Sequence, residues 1–231
     1  MVRAKEPPVA VRLDWRQPTQ IQLTPILAAA LEAFYHDGFH GTSVRDISRR
    51  AGFTTPAIYY HHENKEAVLM ALLDISIDHV TDLCITAVED GSSDPVLRFC
   101  NMIEALVLFE AFSPKTAFLD REMHALSPGN HAAYAVKRRR IQDLMLKTIE
   151  DGVDANVFEV RHPRETARAL LGMVQAVWTW YHPGGPRTPW EVAANYVEMA
   201  ARCAGADPEV LARIRTRYQS LPVHAELACP D

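Results

Sequence analysis

Cysteine is scarce and scattered. Cys84, Cys100, Cys203 and Cys229 form no Cys-x-x-Cys pair, so no disulfide framework is indicated. No charged-then-apolar leader opens the sequence, and a cytoplasmic location is expected. Long apolar runs are missing as well. The longest, near residues 106–112 and 170–181, fall short of the roughly 20 apolar residues that span a bilayer, so no membrane partner is expected. Catalytic signatures are also lacking: there is no GxSxG, no HExxH, no P-loop and no Gly-rich dinucleotide fingerprint. The best remaining candidate for chemistry is His61-His62-Glu63. Adjacent side chains on a helix diverge by about 100 degrees, however, and cannot easily share a metal. Neither a catalytic site, a metal nor a cofactor is therefore expected. Positive charge is short too. The formal net charge of -5 argues mildly against a nucleic-acid binder, and any case for one has to be made locally.

What the chain does have is apolar content and helical punctuation. With 48% hydrophobic residues over 231 positions it can bury a sizeable core or support one small and one larger domain. Residues 1–19 mix Pro7, Pro8 and Pro18 with Arg3, Lys5, Arg12 and Arg16 and show no sustained apolar period, which predicts a flexible N-terminal arm. Beyond it apolar residues recur at spacings of three and four, and no alternating run argues for a strand. The fold class expected is all-α. Thr24 and Pro25 open a first helix with Leu27, Leu31 and Phe34 on one face, and Gly38 stops it. Ser43 and Asp46 fit a capping box for a short second helix that ends at Gly52. Thr54 or Thr55 can cap a third helix with Pro56 in its first turn, and Asn64 can cap a fourth. Further helical segments are expected at about 64–89, 95–112, 115–126, 130–156, 163–182, 188–204 and 207–220, separated by Gly, Ser and Pro breaks. The division read from this pattern is an arm (1–19), a helix-turn-helix unit (20–66), a helical domain (67–221) and a tail (222–231).

Two short helices joined by a Gly-containing turn and braced by a longer one make the trihelical unit that sets a recognition helix in the major groove. The outer face of the third helix, Thr55, Pro56, Ala57, Tyr59, Tyr60 and His61, is nearly uncharged but rich in hydroxyls and rings. Such groups suit thymine methyls, base edges and phosphate oxygens, with Lys65 adding charge near the next helix start. Residues 20–66 hold four basic and five acidic residues, so affinity must rest on placed contacts and the basic arm. The stretches Gly38-Phe39-His40-Gly41-Thr42-Ser43-Val44-Arg45-Asp46-Ile47-Ser48, Ala51-Gly52-Phe53-Thr54, Ile58-Tyr59-Tyr60-His61 and Lys65-Glu66-Ala67-Val68-Leu69 together resemble the N-terminal signature of TetR-family regulators. The resemblance implies double-stranded operator DNA as partner and an N-terminal DNA-binding domain followed by a ligand-binding and dimerisation domain. It further implies that Thr42, beside Ser43 and Arg45, holds a phosphate. By the same resemblance Thr54, Thr55, Pro56 and Ala57 face bases, Tyr59, Tyr60 and His61 contact bases or backbone, and Lys65 clamps a phosphate. Two positions depart from the pattern: His62 where an apolar residue is usual, and Pro56 where a small one is. A buried, charged His62 would weaken the hinge to the fourth helix.

The segments around 99–112 and 167–181 are apolar on nearly every side, which means burial among several helices or the lining of a cavity. A pattern from Pro163-Arg164-Glu165 through Leu170-Leu171-Gly172-Met173 to Trp180-Tyr181-His182-Pro183 resembles, over a shorter match, TetR-family regulators of lipid and steroid breakdown. That likeness implies a small hydrophobic or acyl-coenzyme-A-like effector. Its expected contacts are Met102, Leu106, Phe109, Met173, Val177, Trp180 and Tyr181 for the apolar part and Arg138, within the basic run 137–140, for an anionic head. The helices at 163–182 and 188–204 are expected to pair with a second copy as a four-helix bundle, anchored by Val174, Trp178 and Tyr196, giving a homodimer. The rival readings are a helical adaptor that uses residues 167–181 as a protein-binding groove, or an activator instead of a repressor.

Overall fold

A computed structural model describes residues 13–18 and 21–220, and among them there is no strand. Eleven helices are described: α1 (Pro25–Gly41), α2 (Val44–Ala51), α3 (Thr55–His61), α4 (Lys65–Asp90), α5 (Pro95–Phe112), α6 (Pro114–Phe118), α7 (Pro128–Asp154), α8 (Pro163–Gln175), α9 (Val177–Trp180), α10 (Pro189–Cys203) and α11 (Pro208–Ser220). A 3-10 segment, Leu119–Ala125, joins α6 to α7. None of these helices is long and apolar enough to cross a membrane.

Local chemistry explains the boundaries. Thr24 accepts from the Leu27 amide and Pro25 takes the first turn of α1. Gly38, at φ 69°, breaks the helix before its last residues, a conformation that glycine adopts without steric cost. Asn64 caps α4 through the Ala67 amide, and Asp94 caps α5. One expected helix is divided: 163–182 breaks at Ala176 into α8 and α9. The segment expected as one helix over 115–126 is a single α turn followed by the 3-10 stretch.

The centre of the molecule is α5, where residues 99–111 are all buried, packed between α4, α7, α8 and α10. That position accounts for its apolar character on every side. At 26 residues, α4 is about 39 Å long at 1.5 Å per residue. Its first turns bury Val68, Leu69, Leu72 and Leu73, and its later turns carry Ile77 and Val80. One rod therefore connects the trihelical unit with the larger helical body.

Only residues 13–18 of the expected arm are among the described residues. Residues 13–17 are docked, with Trp15 only 4% exposed. Arg16 donates to Glu104 at 3.1 Å, to Asn101 at 3.2 Å and to Asp90 at 3.2 Å. Tyr218 and Arg217 of α11 close the same cluster, on Glu104 at 2.7 Å and Asn101 at 2.8 Å. A carboxylate as buried as Glu104 requires such partners, so Arg16 is spent on the body of the protein and is not a DNA contact in this conformation. Arg3, Lys5 and Arg12, and the tail expected at 222–231, lie outside the described residues.

Candidate DNA-reading surface and effector cavity

The trihelical unit is held by Phe34, Ile47 and Ile58, all at most 1% exposed. At the start of α2, Asp46 accepts from the Ser43 amide at 3.1 Å while Ser43 Oγ accepts from the Asp46 amide at 3.2 Å. The bonds from Ser43 hold the Asp46 carboxyl below its usual pKa. Gly52, in the left-handed conformation, turns the chain, and Thr54, of the two threonines in question, caps α3 by accepting from the Ala57 amide. Thr55 Oγ1 lies 3.2 Å from Ser48 Oγ and ties α3 to α2.

This geometry presents Thr54, Pro56, Tyr59, Tyr60 and His61 as exposed residues, with Thr55 and Ala57 half-buried beneath them. Tyr60 is 86% exposed and Tyr59 51%. An aromatic core patch would not leave them there. Ser43 and Arg45 are exposed at the start of α2. Arg49 and Arg50 are turned to Asp46 and Asp37. Phe53, in the turn before α3, is 44% exposed and was not among the expected contacts.

Two expected phosphate ligands are instead internal braces. Thr42 is 2% exposed, and its hydroxyl bonds to the carbonyl oxygens of Ala33 at 3.2 Å and Gly38 at 2.9 Å. Lys65 donates through Nζ to the carbonyls of Phe39 and Thr42, each at 2.6 Å, and lies 4.3 Å from the Phe39 ring centroid. Both tie together the chain around the end of α1 and the start of α2 through its backbone carbonyls. Burial lowers the Lys65 pKa. His62 closes α3 and is half-buried. Burial first, and the neighbouring His61 second, push its pKa below 6.5. It is therefore neutral at pH 7, and the charged hinge residue does not arise.

The larger body contains a cavity of about 410 Å³ among α4, α5, α6, α7, α8 and the 3-10 segment. Ile77, Val80, Leu106, Phe109, Ile141 and Leu171 supply its apolar wall. Of the expected ligand contacts, Leu106, Phe109 and Arg138 line it. Met102, Val177 and Tyr181 are instead buried core, and Met173 packs against that core. Trp180 is 43% exposed and stacks on Tyr196 with centroids 6.3 Å apart. Val174, expected at a dimer interface, is 1% exposed and lines the cavity. Trp178 is likewise held within the chain, edge-on to Phe118 at 5.6 Å with the Arg121 guanidinium 5.5 Å from its ring. Val174 lies on the buried face of α8 with Ala167 and Leu170, and Trp178 follows the break at Ala176.

Glu110, Asp120, Tyr134 and Arg168, none of them expected there, add to the polar lining beside Arg139 of the expected basic run. Asp120 accepts from the Tyr134 hydroxyl at 2.9 Å and pairs with Arg138 at 2.9 Å, so Arg138 is already neutralised. Burial raises the Tyr134 pKa, and Asp120 adds to the effect. Lys137 bonds to Asp74 and Asp78 on α4, each at 2.9 Å. Arg139 and Arg168 are exposed and give the cavity a basic edge. The sequence signal for Glu110 was present: it is one of few charges in an otherwise apolar helix.

The segment that bears Asp120 also meets the trihelical unit. Glu122 accepts from the Phe39 amide at 3.3 Å. Nearby, Lys115 of α6 pairs with Glu32 of α1 at 2.6 Å, and Glu66 of α4 accepts from the Ser127 amide and Asn130 of α7, each at 2.7 Å.

Residues 26–72 match the model for bacterial regulatory proteins of the tetR family, and residues 92–204 match that for a tetracyclin repressor-like C-terminal domain. The chain is 40% identical over 179 residues to an uncharacterized HTH-type transcriptional regulator, YdgC, of Bacillus subtilis strain 168, covering 75% of this chain and 88% of that one. It is 26% identical over 183 residues to the HTH-type transcriptional repressor KstR2 of Rhodococcus jostii strain RHA1, covering 76% and 87%. Its fold is similar to that of AibR in a crystal structure with isovaleryl coenzyme A and operator DNA, with TM-score 0.70, 23% identity, and coverage of 75% of this chain and 95% of that one.

Proposed function

The chain belongs to the TetR family of bacterial transcriptional regulators, and we propose that it is a dimeric repressor released from a palindromic operator by an amphipathic, acyl-thioester-like effector. The observation that carries the DNA reading is the α3 face, where an 86% exposed Tyr60 and a 51% exposed Tyr59 stand on a helix whose other face is locked by Ile58. Tyr hydroxyls and the Thr54, Pro56 and Ala57 surface read groove edges and phosphates without a basic patch. Thr42 and Lys65 contribute by holding α1 in place.

The effector reading is supported by an apolar cavity with Arg139 and Arg168 at its edge, a distribution suited to a hydrocarbon chain with an anionic end. AibR, of similar fold, was crystallised with such a thioester. Dimerisation is assigned to the exposed side of α8, α9 and α10. There Trp180 at 43% exposure, the stacked Tyr196 and the 41% exposed Met199 form an apolar strip of the kind that packs in a four-helix bundle. Filling the cavity moves the 3-10 segment, whose Glu122 grips the end of α1, and so favours a recognition-helix spacing that no longer fits grooves about 34 to 36 Å apart.

Selection of bound DNA from random duplexes tests the reading. A palindromic consensus is expected, and retention of no duplex at low salt contradicts it. Transcription in vitro from a promoter overlapping that site separates repression from activation.

A further inference from the structure

One buried oxygen of the cavity wall lacks a hydrogen-bond partner among the described residues. Glu110 lies one turn from Leu106, is 6% exposed, and its Oε2 has no hydrogen-bond partner among the described residues. Buried carboxyl oxygens left unmatched are uncommon, and one that lines a cavity points to what enters it. The charged and titratable groups sharing the cavity are Asp120 from the 3-10 segment, Tyr134, Arg138 and Arg139 from α7, and Arg168 from α8. The wall from α4 contributes Ser76, Ile77 and Val80, while His79 lies behind it with its ring 6.3 Å from that of Phe109. Arg138 is drawn to Asp120 at 2.9 Å, so among the described residues it is committed to that carboxylate and not to Glu110.

We propose that the Glu110 carboxyl determines effector specificity by donating a hydrogen bond to a hydroxyl or keto oxygen on the acyl chain. The cavity then selects oxygenated acyl thioesters over saturated ones, with Arg139 and Arg168 facing the anionic end. This rests on the reading of the cavity as the effector site. Burial, and secondarily Asp120, raise the Glu110 pKa well above its ordinary value, which favours the protonated form that can donate. A saturated chain leaves that donor buried and unmatched, which is how a polar group in an apolar site rejects an analogue lacking its partner. A cationic ligand would require the ionised carboxylate that the surroundings oppose.

Calorimetric titration of the full chain with 3-hydroxyoctanoyl-coenzyme A, octanoyl-coenzyme A, 2-octanone and octylamine tests this. The hydroxylated thioester is expected to bind at least about tenfold more tightly than the saturated one. Glu110→Leu should erase the difference, and Glu110→Gln, which keeps a neutral donor, should retain most of it. No preference in the native chain, an unchanged preference in Glu110→Leu, its loss in a folded Glu110→Gln, or tighter binding of octylamine than of 2-octanone overturns the proposal. If neither thioester binds but 2-octanone does, and loses about tenfold in Glu110→Leu, the thioester part of the functional reading fails and the role of Glu110 stands. Binding of no probe overturns both.

Discussion

Tyr60 and His62, two residues apart, have opposite roles. Tyr60 is 86% exposed and packs only edge-on to His61, at 5.1 Å between ring centroids. Tyr60→Ala is therefore expected to leave the melting temperature within a degree or two and to weaken operator binding by about tenfold or more, measured by fluorescence anisotropy. His62 is kept neutral by burial, and the sign of its pH effect follows. The unfolded chain binds a proton near pH 6.5 that the folded one resists, so stability is complete above that pH and falls as pH drops through it. His62→Phe should stabilise the fold by about 0.5 kcal/mol at pH 7 and flatten the decline between pH 7 and 5.5 in thermal melts. Operator preference should stay unchanged. The outward residues of α3 were legible in the sequence because Ile58 alone pointed to the core. Thr42 and Lys65 were not: their partners are the backbone carbonyls of Ala33, Gly38, Phe39 and Thr42, and contacts from side chain to backbone leave no pattern in side-chain type.

Among elements, capping chemistry made the helices readable. Thr24, Ser43, Asn64 and Asp94 each accept from a backbone amide within the first turn, and such signals are local. The break at Ala176 was illegible because neither Pro nor Gly marks it, and Trp178, just beyond it, packs on Phe118. Beside α4, the 3-10 segment links the cavity to the trihelical unit, with Asp120 in the cavity and Glu122 on the Phe39 amide. Glu122→Ala is expected to leave effector affinity within about twofold while reducing the effect of effector on operator affinity by about fivefold or more. Paired titrations with and without DNA check this, since coupling is reciprocal between the two ligands. An unchanged coupling would move the link elsewhere, to the Glu66 contact with α7.

At the scale of the whole molecule, one core-forming helix, α5, carries both the cavity wall and the Glu104 cluster. Arg16 reaches that cluster from ahead of the DNA-reading unit, so residues 13–18 are part of the fold. Arg16→Ala leaves Glu104 buried with Tyr218 as its remaining direct partner. A loss of about 3 kcal/mol in denaturant unfolding is expected, against little change if the segment were only an arm. Composition hid this because a single Trp between prolines has no period, and Arg16 finds Glu104 and Asn101 at separations of 88 and 85 residues. The all-helical architecture, by contrast, was legible from spacing alone, since each amphipathic face must meet another.

The most direct test of the account is an anisotropy titration of a labelled, selected palindrome with the full chain, with and without saturating 3-hydroxyoctanoyl-coenzyme A. The account predicts one dimer per palindrome and a fall in operator affinity of at least about tenfold, a coupling of roughly 1.4 kcal/mol. Unchanged operator affinity under conditions where calorimetry shows the thioester bound in the cavity would contradict it.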